Sequence, residues 1–445
     1  MGRSFTHGGG TTIRRLTLIV VPPAMPRIAY LTSLYPAASH TFILREVAAL
    51  RNLGVDVETC AIRRPGPEHL IGEEEREAEG ETYYVLDAVR GDPVLLLRAL
   101  GAALRRPGSF LGSLRLAWRT ARPGARGMIK QMIYLAEAVI LARHLQERGV
   151  THLHNHFADP SANVAMLCSG VAGIPWSYTL HGPAELFEPQ SWQLGEKTAR
   201  AAFVACISHF ARSQAMLFSD PVHWPKIRIV HCGVLPDRYG GRDAETSAET
   251  GSLRLLFVGR LTAIKGLRVL LEAFAAAAAE RPGLRLTLVG DGDDRAHLER
   301  LAAPLGEAVR FLGYRSQEEV AAALRDADAL VLPSFAEGLP VVLMEALAAA
   351  RPVIVTRLAG VSELVEDGRS GLLVHAGDAE GLARAIGQLA DDPALRRRMG
   401  ERGRERVRAE FDVRVEAARM ARLLAGDLGT TARPEPVAVA AEGLC

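Results

Sequence analysis

Apolar residues along this chain fall into short continuous runs separated by longer stretches of helical period. Runs at 27–33, 55–62, 82–86, 152–155, 176–181, 203–207 and 227–230 read as strands, and 41–53 reads as a helix. Continuous apolar strands alternating with helices indicate a parallel sheet covered on both faces. From 236 to 252 the chain turns polar and loses its period, as a linker between domains does. The alternation restarts with strands at 253–259, 284–290, 329–333, 353–356 and 372–374. A helix spans 266–279, and its alanine run at 275–279 suits a helix interior. The pattern predicts two α/β domains of similar size joined near residue 240.

Residues 90–148 fit this rhythm poorly. They are helical in pattern and dotted with basic residues from Arg98 to Lys130, with Phe110, Leu111, Leu116 and Trp118 among them. An interfacial helix on anionic lipid has this composition, and so does a cap helix with a solvated arginine face. Both readings stay open at this stage.

A chain of 445 residues is beyond the size at which one core stops growing, which agrees with two domains. With 48% hydrophobic and 23% charged residues, wholesale disorder and fibrous structure are excluded. The net charge of +2 excludes the basic field of a dedicated nucleic-acid binder. Only Lys130, Lys197, Lys226 and Lys265 are lysines, so a choice of arginine over lysine carries little chemistry here. The five cysteines form no C-x-x-C pair and are odd in number, which indicates buried thiols in a reducing compartment. No run of about 18 apolar residues occurs, so no transmembrane helix is expected. Arg14-Arg15 and the apolar 16–21 imitate a short signal peptide. Pro22-Pro23 interrupts them, so residues 1–24 read as a disordered extension and the protein as cytoplasmic. The Thr-, Pro- and Ala-rich 426–445 reads as a disordered tail.

The segment with most chemistry is 333–355, PSFAEGLPVVLMEALAAARPVIV. A strand ends at Pro333, a Gly-Leu-Pro turn follows, and a helix runs over 341–350. Glu337 precedes that helix and Glu345 lies inside it, an E-x7-E spacing that lets two carboxylates accept from different hydroxyls of one extended ligand. The amides of Gly338 and Leu339, near the helix start, suit a phosphate or sugar oxygen. Alone, the pair would read as a capping carboxylate and a surface glutamate. It is not alone. Arg260 follows the strand at 253–259 and Lys265-Gly266 opens the next helix, a planar fork and a compact charge for phosphate. Gly290-Asp291-Gly292-Asp293 follows a second strand, and Phe311-Leu312-Gly313-Tyr314 ends a third. Such turns at the carboxyl ends of parallel strands describe a nucleotide-diphosphate pocket.

Together, VGRL…KG, VGDGDDR, FLGY and the E-x7-E block resemble the retaining glycosyltransferases of family 4, over about residues 26–425. The opening IAYLTSLYPAASHTFILREVAALRNLGVDVE and HLHNHFA at 152–158 look more narrowly like bacterial exopolysaccharide transferases of the colanic-acid and amylovoran type. The resemblance implies an α/β GT-B fold, two Rossmann-like domains facing a central cleft. An acceptor-side domain would span 25–235 and a nucleotide-sugar domain 253–410, with a crossing helix at 411–425 beginning at Phe411. Arg260 and Lys265 would hold the donor diphosphate and stabilise the charge on the leaving group. Glu345 would bind ribose hydroxyls, Glu337 the transferred sugar, and the backbone around Tyr314 the base. Gly290, Gly292, Gly338 and Leu339 would complete the donor site, and His181 would face the donor sugar. The acceptor, a glycan or lipid-linked saccharide, would meet Ser39, His40, Thr41 and His156. A donor phosphate oxygen takes the acceptor proton in this family, so neither cofactor nor metal is implied.

Two departures stand out. The Gly-Gly loop common after the first strand is replaced by Ala37-Ala38-Ser39-His40-Thr41, and His40 stands where the narrower group more often has an acidic residue. His40 also reads as an exposed residue at a helix start, and Ser39 as a helix N-cap. His152, His154 and His156 share one face of a strand, a spacing at which zinc is conceivable, but no further ligand cluster is evident. Two rivals remain: a sugar-nucleotide epimerase or hydrolase on the same fold, and a non-enzymatic nucleotide-sugar-binding partner of polysaccharide assembly.

Overall fold

The computed structural model describes residues 27–37, 40–240 and 251–427. Its strands form two sheets whose strand pairs are all parallel. The first holds β1 (Ile28–Leu34), β2 (Val57–Arg63), β3 (Tyr83–Tyr84), β4 (His152–His156), β5 (Trp176–Leu180), β6 (Val204–Cys206) and β7 (Ile227–Ile229). Their order is β3-β2-β1-β4-β5-β6-β7. The second holds β8 (Ser252–Val258), β9 (Gly283–Val289), β10 (Val309–Gly313), β11 (Ala329–Leu332), β12 (Val353–Thr356) and β13 (Gly371–Val374), in the order β10-β9-β8-β11-β12-β13. Each order reverses once, between β1 and β4 and between β8 and β11. A doubly wound sheet opens a crevice at the carboxyl ends of the strands flanking that reversal. The loops after β1, β4, β8 and β11 line these crevices.

Strands with both faces covered are apolar throughout, as Ile28, Ala29, Tyr30 and Leu31 of β1 are. β4 is the exception. HLHNH is wholly buried although four of its five residues are polar, so each needs an internal partner.

Several elements differ from the sequence pattern. Only Tyr83–Tyr84 pairs with β2, and from Val85 the chain turns into the helix Val85–Gly91, which packs on the same strand. The arginine-rich stretch is three helices, Leu95–Ala103, Pro107–Thr120 and Ala125–Glu147; a proline at the first position opens the second of them. The expected linker is narrower. Pro236–Tyr239 is a helical turn with Tyr239 buried, and Ser252 already belongs to β8, while residues 241–250, 1–24 and most of the expected tail lie outside the described residues.

The C-terminal segment returns to the first sheet. Val234 donates to the Phe411 carbonyl at 3.0 Å, and Val413 donates back to the Val234 carbonyl at 2.9 Å. The helix Val413–Leu424 then lays Val413, Ala417, Met420 and Leu424 against a cluster holding Ile28, Tyr30 and Val47. Phe411, 1% exposed, fills the turn before that helix beside His231. Phe411→Ala is expected to destabilise the protein by about 3–5 kcal/mol. Urea unfolding followed by circular dichroism measures this, and an unchanged midpoint would refute the anchoring role.

Candidate active site

The second sheet supplies the charged wall. Gly266 has φ +67°, and a Cβ there would stand 2.1 Å from the Pro333 carbonyl oxygen, so only glycine lets the loop after β8 lie against the loop after β11. That approach brings Lys265 to Glu337: Nζ donates to Oε1 at 2.6 Å, and the Ser334 hydroxyl donates to the same oxygen at 2.5 Å. Ser334 is fixed in turn, its carbonyl accepting from the Thr356 hydroxyl at 2.6 Å. Arg260 stands exposed on the neighbouring loop. Leu261 donates to the Asp291 carbonyl at 2.9 Å and Gly290 to the Gly313 carbonyl at 2.9 Å, so the turns at Arg260, Gly290–Gly292 and Tyr314 form one stitched edge. Gly338 and Leu339 sit at the entry to the helix Val341–Ala348.

Glu345 is already occupied. Its Oε1 accepts from Arg45 Nη2 at 2.7 Å and from the Tyr239 hydroxyl at 2.9 Å. Arg45 comes from the helix Thr41–Asn52 of the first sheet's unit and also donates to Gln317 Oε1 at 2.8 Å. Both charges are withdrawn from water, with side-chain exposures of 3% and 9%.

The first sheet supplies a wall of imidazoles. His154 bonds the Ser177 hydroxyl through Nδ1 at 2.8 Å and the Thr179 hydroxyl through Nε2 at 2.9 Å, and His152 shares Ser177 at 2.7 Å. His156 Nδ1 lies 3.0 Å from His181 Nε2. His156 Nε2 has no hydrogen bond, with a Glu46 oxygen 3.6 Å away. Glu46 itself accepts from the Tyr30 hydroxyl at 2.7 Å.

Two of the expected residues lie deeper than the cleft surface. The His181 nitrogens turn to His156 and, at 3.6 Å, to Cys232 Sγ, with Phe42 and Phe157 against the ring. What meets the second domain is its backbone, since a Cβ on Gly338 would stand 2.1 Å from the His181 carbonyl oxygen. His156, expected on the cleft wall, has no exposed surface and stands behind His181. His40 occupies the N-cap position of its helix without capping it, its ring 4.8 Å from Phe157 and its Nδ1 without a partner. Thr41 opens that helix, and Ser39 lies outside the described residues.

Glu46, His154 and His156 bring ligand atoms within 4.8 Å of one another. Both His154 nitrogens and one Glu46 oxygen are spent on Ser177, Thr179 and Tyr30, so a cation would have to break those bonds. The trio fits a hydrogen-bonded core better than a metal site.

Burial favours the neutral form of His40, His152, His154 and His181. It pushes His40 down to about 4, helped by His156, and His152 down to about 4. It also holds His154 and His181 well below the usual range, helped by neighbouring histidines. Burial pushes Glu185 up to about 7, against the backbone N–H groups of Ala158, Gly182 and His181 that its carboxylate receives.

Sequence reasoning missed Arg45, Glu46, Glu185 and Tyr239. Glu46 was within reach: it lies three residues after Ile43 and four before Leu50, on the apolar face of its helix, where a charge needs a partner. Tyr239 sat in a stretch without period, and nothing in the sequence links Arg45 to a residue 300 positions away.

Two doubly wound α/β domains with charged loops at facing carboxyl edges define the GT-B class of glycosyltransferase. Residues 252–392 match the family described as glycosyl transferases group 1. The D-inositol 3-phosphate glycosyltransferase of Pseudarthrobacter chlorophenolicus is 31% identical over 297 residues, 62% of this chain and 70% of the relative. The amylovoran biosynthesis glycosyltransferase AmsK of Erwinia amylovora is 26% identical over 418 residues, 89% of this chain and 99% of the relative. The chain spans 62% and 59% of the length of two Streptomyces D-inositol 3-phosphate glycosyltransferases that it also matches. Among solved structures, Anabaena HepE in complex with UDP-glucose superposes with a TM-score of 0.68 at 17% identity, over 90% of this chain and 100% of that one. The chain belongs to the group 1 glycosyltransferases.

Two outcomes test the site's energetics. Arg45→Ala leaves Glu345 a buried charge without its cation and is expected to cost about 3–5 kcal/mol. Arg45→Met combined with Glu345→Met should restore most of that stability, whereas equal losses in single and double variants would deny the pairing. Second, His40 and His152 are depressed from 6.5 to about 4, so the stability they contribute is complete above about 6.5 and lost as pH falls toward 4. Glu185 works the other way: its contribution is complete below about 4.5 and lost as pH rises through about 7. Depressed histidines, which include His154 and His181, outnumber such raised carboxyls. The melting temperature should therefore fall between pH 6.5 and 4, and a flat profile would refute the neutral core.

Proposed function

We propose that the protein is a retaining glycosyltransferase that moves a sugar from a nucleotide-diphosphate donor to a glycan or lipid-linked acceptor. The observation that carries this reading is the Lys265–Glu337 pair beside Arg260, at the crevice of the second sheet and against the His181 carbonyl of the first. Lys265 and Arg260 would take the diphosphate, which releases Glu337 to accept from the sugar hydroxyls. Glu345 would take the ribose, exchanging its bond from Arg45 for bonds from the diol. Gly290, Gly292, Gly338, Leu339 and the backbone at Tyr314 complete the donor site, and His40 and Thr41 lie on the acceptor side.

In the reaction, the bond from the sugar C1 to the diphosphate oxygen breaks. A bond from C1 to the acceptor oxygen forms on the same face, and the acceptor proton passes to the departing phosphate. Cleft closure keeps water from competing with the acceptor. HepE complexes with UDP and UDP-glucose support a nucleotide-sugar donor, and AmsK, named for amylovoran biosynthesis, supports a place in cell-surface polysaccharide assembly. No helix of the described residues is long and apolar enough to cross a membrane. We place the enzyme on the cytoplasmic side, with a lipid-linked acceptor reached from the membrane surface.

Purified protein incubated with UDP-, GDP- and ADP-sugars, with and without a membrane glycolipid extract, should release nucleoside diphosphate only when one donor and the extract are both present. Donor conversion without acceptor would instead establish an epimerase or hydrolase. Glu337→Ala should slow transfer by about 10²–10³-fold, as loss of a group that stabilises the reacting sugar does. Lys265→Ala should weaken nucleoside-diphosphate binding in calorimetry. Unchanged turnover and affinity would remove both residues from the donor site.

A further inference from the structure

Between residues 93 and 136 the chain has eight basic residues and no acidic one, against a net charge of +2 for the whole sequence. This stretch is the helices Leu95–Ala103, Pro107–Thr120 and Ala125–Glu147 down to its third turn. The three are mutual neighbours, and each buries one side: Ala99 and Ala103 on the first, Leu116 and Ala117 on the second, Gln131 and Leu135 on the third.

Their outward sides are not the polar faces of ordinary surface helices. Leu97 and the C-cap Leu104 share one stripe of the first helix, Leu111 and Trp118 of the second, Ile129 and Ile133 of the third, all more than half exposed. Trp118 reaches 68%. Each pair has a helical spacing of four or seven, so each forms a continuous stripe. Seven of the sixteen large exposed apolar side chains among the described residues fall within 94–133, which concentrates them beyond ordinary scatter.

The cations lie within the same stripes. Arg115 sits between Leu111 and Trp118, Arg105 follows Leu104, and Arg126 precedes Ile129, all exposed. Among the described residues, none of these three has a carboxylate within ion-pair distance, whereas Arg98, Arg119 and Arg122 do. Packing inside the protein therefore satisfies neither the apolar stripes nor these three charges.

We propose that this three-helix face docks the enzyme on an anionic lipid surface. The proposal rests on the reading of a lipid-linked acceptor and names the face that would meet the bilayer. A nucleic acid would pair the arginines but leave the leucines and isoleucines in water. A bilayer boundary offers both partners at adjacent depths: acyl chains for the apolar side chains, headgroup phosphates for guanidinium groups on long stems. A tryptophan suits that boundary as well.

The face also touches the segment that follows the His181 loop. Arg122, between the second and third helices, pairs with Glu188 at 3.5 Å and lies over the Trp192 ring, while Gln193 donates to the Thr120 carbonyl. Residues 188–193 follow His181 by a few positions, and Phe187, 63% exposed, stands between. An acceptor held in the bilayer thus has a short route from the docked face to the His181 loop.

The test floats the full chain with vesicles of phosphatidylcholine alone and of phosphatidylcholine with about one-third phosphatidylglycerol, at low and raised salt. Wild-type protein should float with anionic vesicles, float poorly with neutral ones, and release as salt rises. The combined Arg105→Glu, Arg115→Glu and Arg126→Glu variant should lose about a hundredfold in partition, and Leu111→Ser with Trp118→Ser should also weaken it. Unaltered melting of these variants confirms that the fold survives. Equal flotation with neutral vesicles, or equal flotation of wild type and the arginine variant, overturns the proposal. So does a dimer that either variant dissolves, since a second copy then covers the face. Nucleoside-diphosphate release with a water-soluble acceptor, run in parallel, separates the two readings. Turnover without vesicle binding rejects the docking face and leaves the transferase reading standing, and vesicle binding without turnover on any donor does the reverse.

Discussion

One buried ion pair joins the two units at the centre of their contact. Arg45 belongs to the first helix of the first unit, Glu345 to the helix after β11, and Tyr239 to the turn between the units. A charge pair removed from water gives up most of its Coulombic gain to desolvation, so it is stable only while its hydrogen bonds are complete. Here Glu345, Tyr239 and Gln317 all converge on a single nitrogen of Arg45, and its Nε and Nη1 are buried without partners. Opening the units would return both ions to water and recover much of what burial cost. The paired arrangement is specific in geometry without being deep in energy.

That pair also divides the labour between the walls. The second sheet's wall carries the charged side chains, Arg260, Lys265 and Glu337, on loops held together by backbone bonds. The first sheet's wall is built mostly of buried imidazoles. Ser177 and Thr179 satisfy His152 and His154, and the His181 ring is held from behind by His156 and Cys232. Glu185 gathers the N–H groups of Ala158, His181 and Gly182, which fixes the loop whose carbonyl meets Gly338. The first wall is fixed in shape by its hydrogen bonds, and the charged groups stand on the second.

The sequence made most of this fold legible because fully covered parallel strands must be apolar over their whole length. The motifs around Arg260, Lys265, Glu337 and Glu345 were legible as well, since turn glycines and paired carboxylates leave a local signature. The interactions that assemble the site were not. The polar strand HLHNH shows its alternation, but the hydroxyls that satisfy it come from β5 and are known only once the register is fixed. Tyr239 lay in a segment without period, which hid a buried side chain behind the signature of a linker. The glycines were visible as turns, yet the atom each one admits, the Pro333 oxygen for Gly266 and the His181 oxygen for Gly338, belongs to a distant strand.

Charge is distributed as unevenly as polarity. With the whole chain at +2 and residues 93–136 at +8, the remaining residues carry −6 between them. Such a separation orients a molecule in the field of a charged surface before any contact forms, and the effect reaches about a Debye length, ~8 Å at physiological salt. A neutral surface would supply no torque, and a uniformly basic protein would approach without a preferred side. Here the positive face belongs to the unit whose loops lead to His181, so the field that draws the molecule toward anionic lipid turns that unit toward it first. The second sheet's unit, at −1 over residues 251–427, adds no opposing pull, and the main acidic counterweight is residues 27–92, at −5.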